Sequence, residues 1–154
     1  MRVALGSDHA GFELKGRLIR ELTALRHDVQ DLGTWSTEPC DYPDFCFPVA
    51  ERVARGEADR GIVLGGSGIG ESIAANKVLG IRASVVTSDE TARLTRQHND
   101  SNVLALGGRT NRHEDAVRWL RIWLETPFEG GRHVPRLEKI RAYELSHLSP
   151  RQVP

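Results

Sequence analysis

Apolar positions along the chain switch repeatedly between two spacings. Val3, Ala4 and Leu5 form a short unbroken run, Ser7, Asp8 and His9 make a polar turn, and Phe12, Leu14, Leu18, Ile19 and Leu22 then recur along one helix face. A weaker run at residues 29–32 is followed by a polar stretch, residues 33–44, containing Pro39 and Pro43. Phe45, Val49, Ala50, Val53 and Ala54 resume helical spacing, and Gly56 is placed to close that helix. Residues 62–64 are the clearest buried strand, and a glycine-rich turn at 65–70 leads into a helix expected over 72–78. The same reading predicts a strand at 81–86, a helix at 89–98 and a strand at 103–106. Val117, Leu120, Ile122 and Trp123 mark a further helix. The pair Gly130-Gly131 breaks the chain before a final helix from about 135 to 148. Short apolar runs alternating with helices are the pattern of a parallel sheet of about five strands covered by helices, the α/β class. No repeat or linker interrupts it, so one domain is expected over residues 1–148 with a loose tail at 149–154.

In open α/β sheets ligands bind beyond the carboxyl ends of the strands, which directs attention to residues 7–11, 65–71 and 107–109. The turn Gly65-Gly66-Ser67-Gly68-Ile69-Gly70 lies between a strand and a helix, where backbone N–H groups can hold an anion. It fits neither common nucleotide motif. A dinucleotide fingerprint starting at Gly66 needs glycine or alanine where Glu71 stands, and a P-loop starting at Gly65 needs lysine there. A carboxylate at that point repels a pyrophosphate, but it suits a small oxyanion that forms only during reaction. Moving a proton beside a carbonyl needs a base and donors for the enediolate oxygen. Glu71 supplies the first, and Ser67 with the loop amides the second. The plainer reading is a strand-to-helix turn in which Glu71 complements the helix dipole.

Composition narrows the partners. The 154 residues carry 21 basic and 21 acidic side chains, a formal net charge of +0, with 39% hydrophobic and 27% charged positions. That is an ordinary globular composition, without the positive excess that draws a protein to nucleic acid or anionic membranes. No apolar run approaches the ~20 residues of a membrane span, and a cytoplasmic location is expected. Two cysteines, Cys40 and Cys46, lack metal-ligand spacing and are expected to be reduced and structural. His27, His113 and His147 likewise have no partner at ligand spacing, and no metal is expected. Trp119 and Trp123 lie four apart on one helix face, and these two with Trp35 read as packing residues. Part of that surface, or Phe45 and Phe47, could serve a subunit contact.

Several further motifs occur in order: Ser7-Asp8-His9-Ala10-Gly11, Asp41-Tyr42-Pro43, the glycine turn, Ala74-Ala75-Asn76-Lys77, Arg96-Gln97-His98-Asn99-Asp100-Ser101-Asn102, Gly107-Gly108-Arg109, and Gly130-Gly131-Arg132-His133 with Arg136. Together they resemble the type B ribose-5-phosphate isomerases, a family that also includes bacterial galactose-6-phosphate isomerase subunits. The likeness runs from residue 2 to about 145. It implies a Rossmann-like three-layer α/β/α sandwich and a cofactor-free, metal-free aldose–ketose isomerisation through a cis-enediolate. It also implies a homodimer or dimer of dimers whose active sites draw on both subunits. Many members have a cysteine base at the position of Gly65 and threonine at Ser67. This sequence instead resembles the actinobacterial-type branch, in which a glutamate, here Glu71, is the base.

By the same resemblance Ser67 and the amides of Gly66, Gly68, Ile69 and Gly70 hold the enediolate, and His98 protonates the ring oxygen so that the sugar opens. Asn99, Asp8 and Tyr42 contact sugar oxygens. His9, Arg109, Arg132 and Arg136 clamp the phosphate, the last two from either subunit, and His133 joins them or is simply exposed. Bland readings accompany each: a helix cap for Ser67, a dipole-favoured helix end for His98, turn chemistry for Asp8 and Tyr42, a solvated basic face for residues 132–141. Ribose 5-phosphate is the expected substrate. Another phosphosugar, such as an aldohexose 6-phosphate or tetrose 4-phosphate, and a non-catalytic sugar-phosphate module are the alternatives.

Overall fold

Strands and helices alternate through the described part of the chain, residues 1–147, in a computed structural model. The order is β1 (Arg2–Ser7), α1 (Phe12–Ala24), β2 (Asp28–Asp31), α2 (Pro43–Ala54), β3 (Arg60–Gly65), α3 (Ile69–Ala75), β4 (Ala83–Val85), α4 (Asp89–Asn99), β5 (Val103–Gly107) and α5 (His113–Glu125). A 3₁₀ turn over Gly131–His133 then leads into α6 (Val134–His147). Leu148, the last residue of the expected domain, and the tail expected at 149–154 lie outside the described residues.

All five strands are parallel, in the order β2-β1-β3-β5-β4. Helices cover both faces, so each central strand is buried on both sides and reads as an unbroken apolar run. Alternation within those runs sorts the core. Leu5, Ile62, Leu64, Leu104 and Leu106 meet Leu14, Leu18 and Leu22 of α1, Ala92 of α4, and Leu120 and Trp123 of α5. On the other face Ala4, Val63, Val103 and Ala105 meet Cys46, Val49 and Ala50 of α2 and Ala74 and Ala75 of α3. Small residues there let α2 approach closely: a Cβ on Gly61 would come within 2.8 Å of Val49. Each fully buried Leu or Val contributes about 1.5–3 kcal/mol, so this two-sided packing is what holds the strand ends in place. This is the three-layer α/β/α sandwich, and none of its described helices is long and apolar enough to cross a membrane.

Three expectations change. The helix expected at 72–78 spans Ile69–Ala75, because Gly68 takes φ +83° and turns the chain directly from β3 into the helix. It ends where the Asn76 side chain bonds both the N–H and the C=O of Ala83, at 2.8 and 2.9 Å. The strand expected at 81–86 shrinks to Ala83–Val85, since β4 is an edge paired only with β5 and the Arg82 N–H bonds the Asn102 side chain instead. Trp35 is 71% exposed, with Lys15 Nζ 6.0 Å from its ring centroid, so it is not the core packing residue expected. Trp119 and Trp123 do pack as expected, with indole N–H groups donating to Asp89 and Ser101. Their burial removes them from any subunit surface. Cys40 and Cys46 are free thiols.

Candidate active site

The sheet order reverses between β1 and β3, so the loops that follow them depart to opposite faces and leave a crevice at the carboxyl edge. Backbone bonds lock this edge: Asp8 N–H to Leu64 C=O at 3.1 Å, Gly108 N–H to Gly65 C=O at 2.7 Å, Arg109 N–H to Gly66 C=O at 3.1 Å. The loops after β1, β3 and β5 are thereby one surface. All three are the loops that the sequence singled out.

Glu71 stands in the first turn of α3 and is 3% exposed. Its carboxyl reaches back under β3: a Cβ built on Gly65 would coincide with Glu71 Oε1, so Gly65 has no side chain because Glu71 occupies that space. Burial pushes the Glu71 carboxyl above its ordinary range and the Asp8 charge adds to this, while the backbone amides of Glu71 and Gly68 pull the other way. Oε2 is buried with no hydrogen-bond partner among the described residues. A dipole-serving surface glutamate would face solvent, so that bland reading does not describe this side chain.

The neighbours are placed by equally local chemistry. The Ser67 hydroxyl accepts from the Ile69 N–H at 3.3 Å, a cap on the turn. Asp8, 7% exposed, accepts from the N–H groups of Ala10 and Gly11 through Oδ1 at 2.8 and 3.0 Å, which leaves Oδ2 for another donor. Tyr42 lies on the turn, its Cζ 2.8 Å and hydroxyl 3.0 Å from where a Gly70 Cβ would be. Arg109 flanks it, with Cδ 4.0 Å from the corresponding point on Gly66. His9 sets Nδ1 against the Cys40 backbone, 3.2 Å from its N and 3.3 Å from its O. Cys46 sits beneath, and burial together with the Glu71 and Asp8 charges drives its thiol strongly upward, which keeps it protonated and unreactive.

His98, Asn99, Arg132, His133 and Arg136 form a second group at the opposite edge. Helix α4 returns from the carboxyl end of β4 to the amino end of β5, so its last residues lie a sheet-width from Glu71, about 15 Å at ~3.3 Å per strand residue. Asp100, in the left-handed region at φ 43°, ends the helix and pairs with Arg96 at 2.7 Å and Arg82 at 3.1 Å. Buried Arg96 also donates to Ser101 C=O at 2.6 Å, fixing this corner. The His98 and His133 rings stack with centroids 4.3 Å apart. Arg132 falls in the 3₁₀ turn, which runs straight into α6, where Arg136 lies. His133 is buried, not exposed. Helix α6 buries no residue and leaves Val134, Ile140, Tyr143 and Leu145 open.

The ligand atoms of His98, Glu129 and His133 lie within 4.8 Å of one another, close enough to suggest a metal centre. The surroundings do not suit one. Arg136 Nη1 faces His133 Nδ1 at 3.5 Å, and a guanidinium only donates, so Nδ1 accepts and the proton sits on Nε2, the atom a metal would need bare.

A doubly wound α/β sheet whose glycine turn holds a buried carboxylate instead of a nucleotide-binding cation defines a class that handles small oxyanions and protons. Comparison with known proteins is consistent with this. The sequence profile of the ribose/galactose isomerases matches residues 3–140, and the chain belongs to that family. It is 48% identical to Escherichia coli ribose-5-phosphate isomerase B over 93% of this chain and 96% of that one. The structure of Clostridium thermocellum ribose-5-phosphate isomerase B superposes with TM-score 0.94 at 48% identity, covering 96% of this chain and 99% of that one. The Mycoplasma genitalium enzyme, solved with bound ribulose-5-phosphate, gives 0.90 at 40% identity over 94% and 96%.

Proposed function

We propose that this chain is an aldose–ketose isomerase interconverting D-ribose 5-phosphate and D-ribulose 5-phosphate, with Glu71 as base. The observation that carries the reading is the Glu71 carboxyl, buried and filling the place of a side chain at Gly65 beside the Ser67 turn. It supports the glutamate-base branch. In ring opening the C1–O4 bond breaks, O4 takes a proton from His98, and the O1 hydroxyl gives one up toward Asp8. Glu71 then removes the proton from C2 and returns it to C1, while the O2 hydroxyl proton passes to O1, so that C1 ends as an alcohol and C2 as the ketone. The intervening enediolate oxygen is held by Ser67 and the amides of Gly66, Ile69 and Gly70. Gly68 N–H is partly drawn to Glu71 itself. Tyr42 and Asn99 hold sugar hydroxyls, and His9, Arg109, Arg132 and Arg136 hold the phosphate, whose remote binding energy aligns the reacting carbons.

His98 and Glu71 lie at opposite edges of one sheet, so a second copy must supply His98, Asn99, Arg132 and Arg136. A homodimer with shared sites is the proposed state. The unburied apolar side chains of α6 and the exposed Ile69 and Ile73 of α3 offer surface for it. Free thiols suit a reducing compartment, the cytoplasm.

The test is conversion of ribose 5-phosphate to its ketose in the presence of a chelator. Turnover is expected without added metal, and substrate binding with no ketose formed would overturn the reading. The pH profile carries a second expectation. Glu71 acts deprotonated and burial raises its pKa, so the acid limb of kcat/KM should lie above the ordinary glutamate value of 4.5. A limb at or below that value would point to a different base.

A further inference from the structure

Glu129 is absorbed by none of the roles above, yet it is the carboxylate in ion-pair range of both stacked histidines, with Oε2 3.9 Å from His98 Nε2 and 3.6 Å from His133 Nε2. Its backbone N–H donates to Gln97 C=O at 3.0 Å, which ties the segment before α6 to the end of α4. We propose that Glu129 is a positioning residue: it holds the Nε2–H of His98, so that the proton given to the sugar ring is the one on Nδ1. The inference rests on the isomerase reading and deepens it.

The tautomer of His133 carries the argument. Arg136 Nη1 lies 3.5 Å from His133 Nδ1, so that nitrogen accepts and the His133 proton sits on Nε2, which is buried without a hydrogen-bond partner and stands 3.6 Å from Glu129 Oε2, leaving that oxygen uncommitted. Burial first, then His98, Arg132 and Arg136, hold the His133 pKa below the ordinary histidine value, with Glu129 only partly opposing them, so the ring favours its neutral form. A neutral ring stacked at 4.3 Å can support a cationic neighbour, whereas two cations would repel. The remaining charges near the stack are already committed, Arg96 and Arg82 to Asp100. Glu129 is thus the one free anion for His98 among the described residues, and it fixes which nitrogen exchanges a proton, as the carboxylate of a catalytic triad does for its histidine. Ring opening balances as before: His98 Nδ1–H passes to O4 as C1–O4 breaks, and Nε2–H stays with Glu129.

Glu129→Gln separates this from a structural role, because only the cyclic substrate needs ring opening. Ribulose 5-phosphate is acyclic, its O5 being esterified, so enediolate formation from it can be followed by deuterium wash-in at C1 without the His98 step. The variant should lose about 10- to 100-fold in kcat/KM on ribose 5-phosphate. Deuterium wash-in should stay within about twofold, and Glu129→Asp should recover part of the loss. Equal losses on both substrates, or no recovery in Glu129→Asp, would overturn the proposal. Absence of both activities from the unaltered protein would instead sink the isomerase reading itself.

Discussion

Replacing Glu71 by Gln lowers isomerisation of ribose 5-phosphate by about 10²- to 10⁴-fold, the range expected when a positioned general base is removed. The amide keeps the shape that fills the space beside Gly65, so the loop should not collapse. Stability moves the other way. The folded state holds the Glu71 proton to higher pH than the unfolded chain does, so this group favours folding below the unfolded value and loses that contribution as pH rises through the folded one. Once ionised, the buried carboxyl opposes folding, so Glu71→Gln should melt higher than the unaltered protein at pH above the raised folded-state value and lose that advantage as pH falls toward the ordinary glutamate value of 4.5. An inactive variant with an unchanged or lower melting temperature across the pH range would indicate that the loss came from a damaged loop. Full activity would remove Glu71 from the mechanism.

Mixing two inactive variants restores activity if the site is shared. Glu71→Gln is defective at the carboxyl edge of the sheet and His98→Asn at the amino edge. In a mixed dimer, one composite site receives both altered residues and the other receives neither. With free subunit exchange half of the dimers are mixed, and about a quarter of all sites should be intact. Activity should rise from the level of either variant to roughly that fraction on mixing. No recovery, with exchange shown by mass-tagged subunits, would mean that each chain completes its own site. Pairing His98→Asn with Arg132→Ala provides the control. Both residues lie at the same edge, so their mixed dimer has one altered residue in each site and should recover nothing.

What could be read along the chain follows from how locally each feature is encoded. Parallel strands buried on both faces appear as unbroken apolar runs, so residues 3–5, 62–64 and 103–106 were visible without coordinates, as were the stripes of α1, α2 and α5. Edge effects were not. The length of β4 depends on a side chain of Asn102 twenty residues away that takes up the Arg82 N–H, and the start of α3 depends on one glycine adopting positive φ. Trp35 shows the same limit, since nothing local says that a large apolar side chain will stay mostly exposed.

The site divides in the same way. The motif order placed Asp8, Tyr42, Ser67, Glu71 and Arg109 in loops that the sheet brings together, because the carboxyl ends of parallel strands necessarily share an edge. Glu129 carried no signal of its own; its relation to His98 arises from a backbone contact between residues 129 and 97. His133 gave only a neighbouring motif, and its burial and tautomer come from Arg136 and the ring stack.

The sequence by itself determined that this is an α/β protein, a parallel sheet covered by helices, with a carboxylate where a nucleotide site would need a cation. Periodicity and residue identity are properties of the chain alone. Only the tertiary structure decided that Glu71 is buried in the space left by Gly65 and that His98 stands at the far edge of the sheet. Those are facts of direction and distance, set by helices that return antiparallel to the strands, and no spacing along the chain records them.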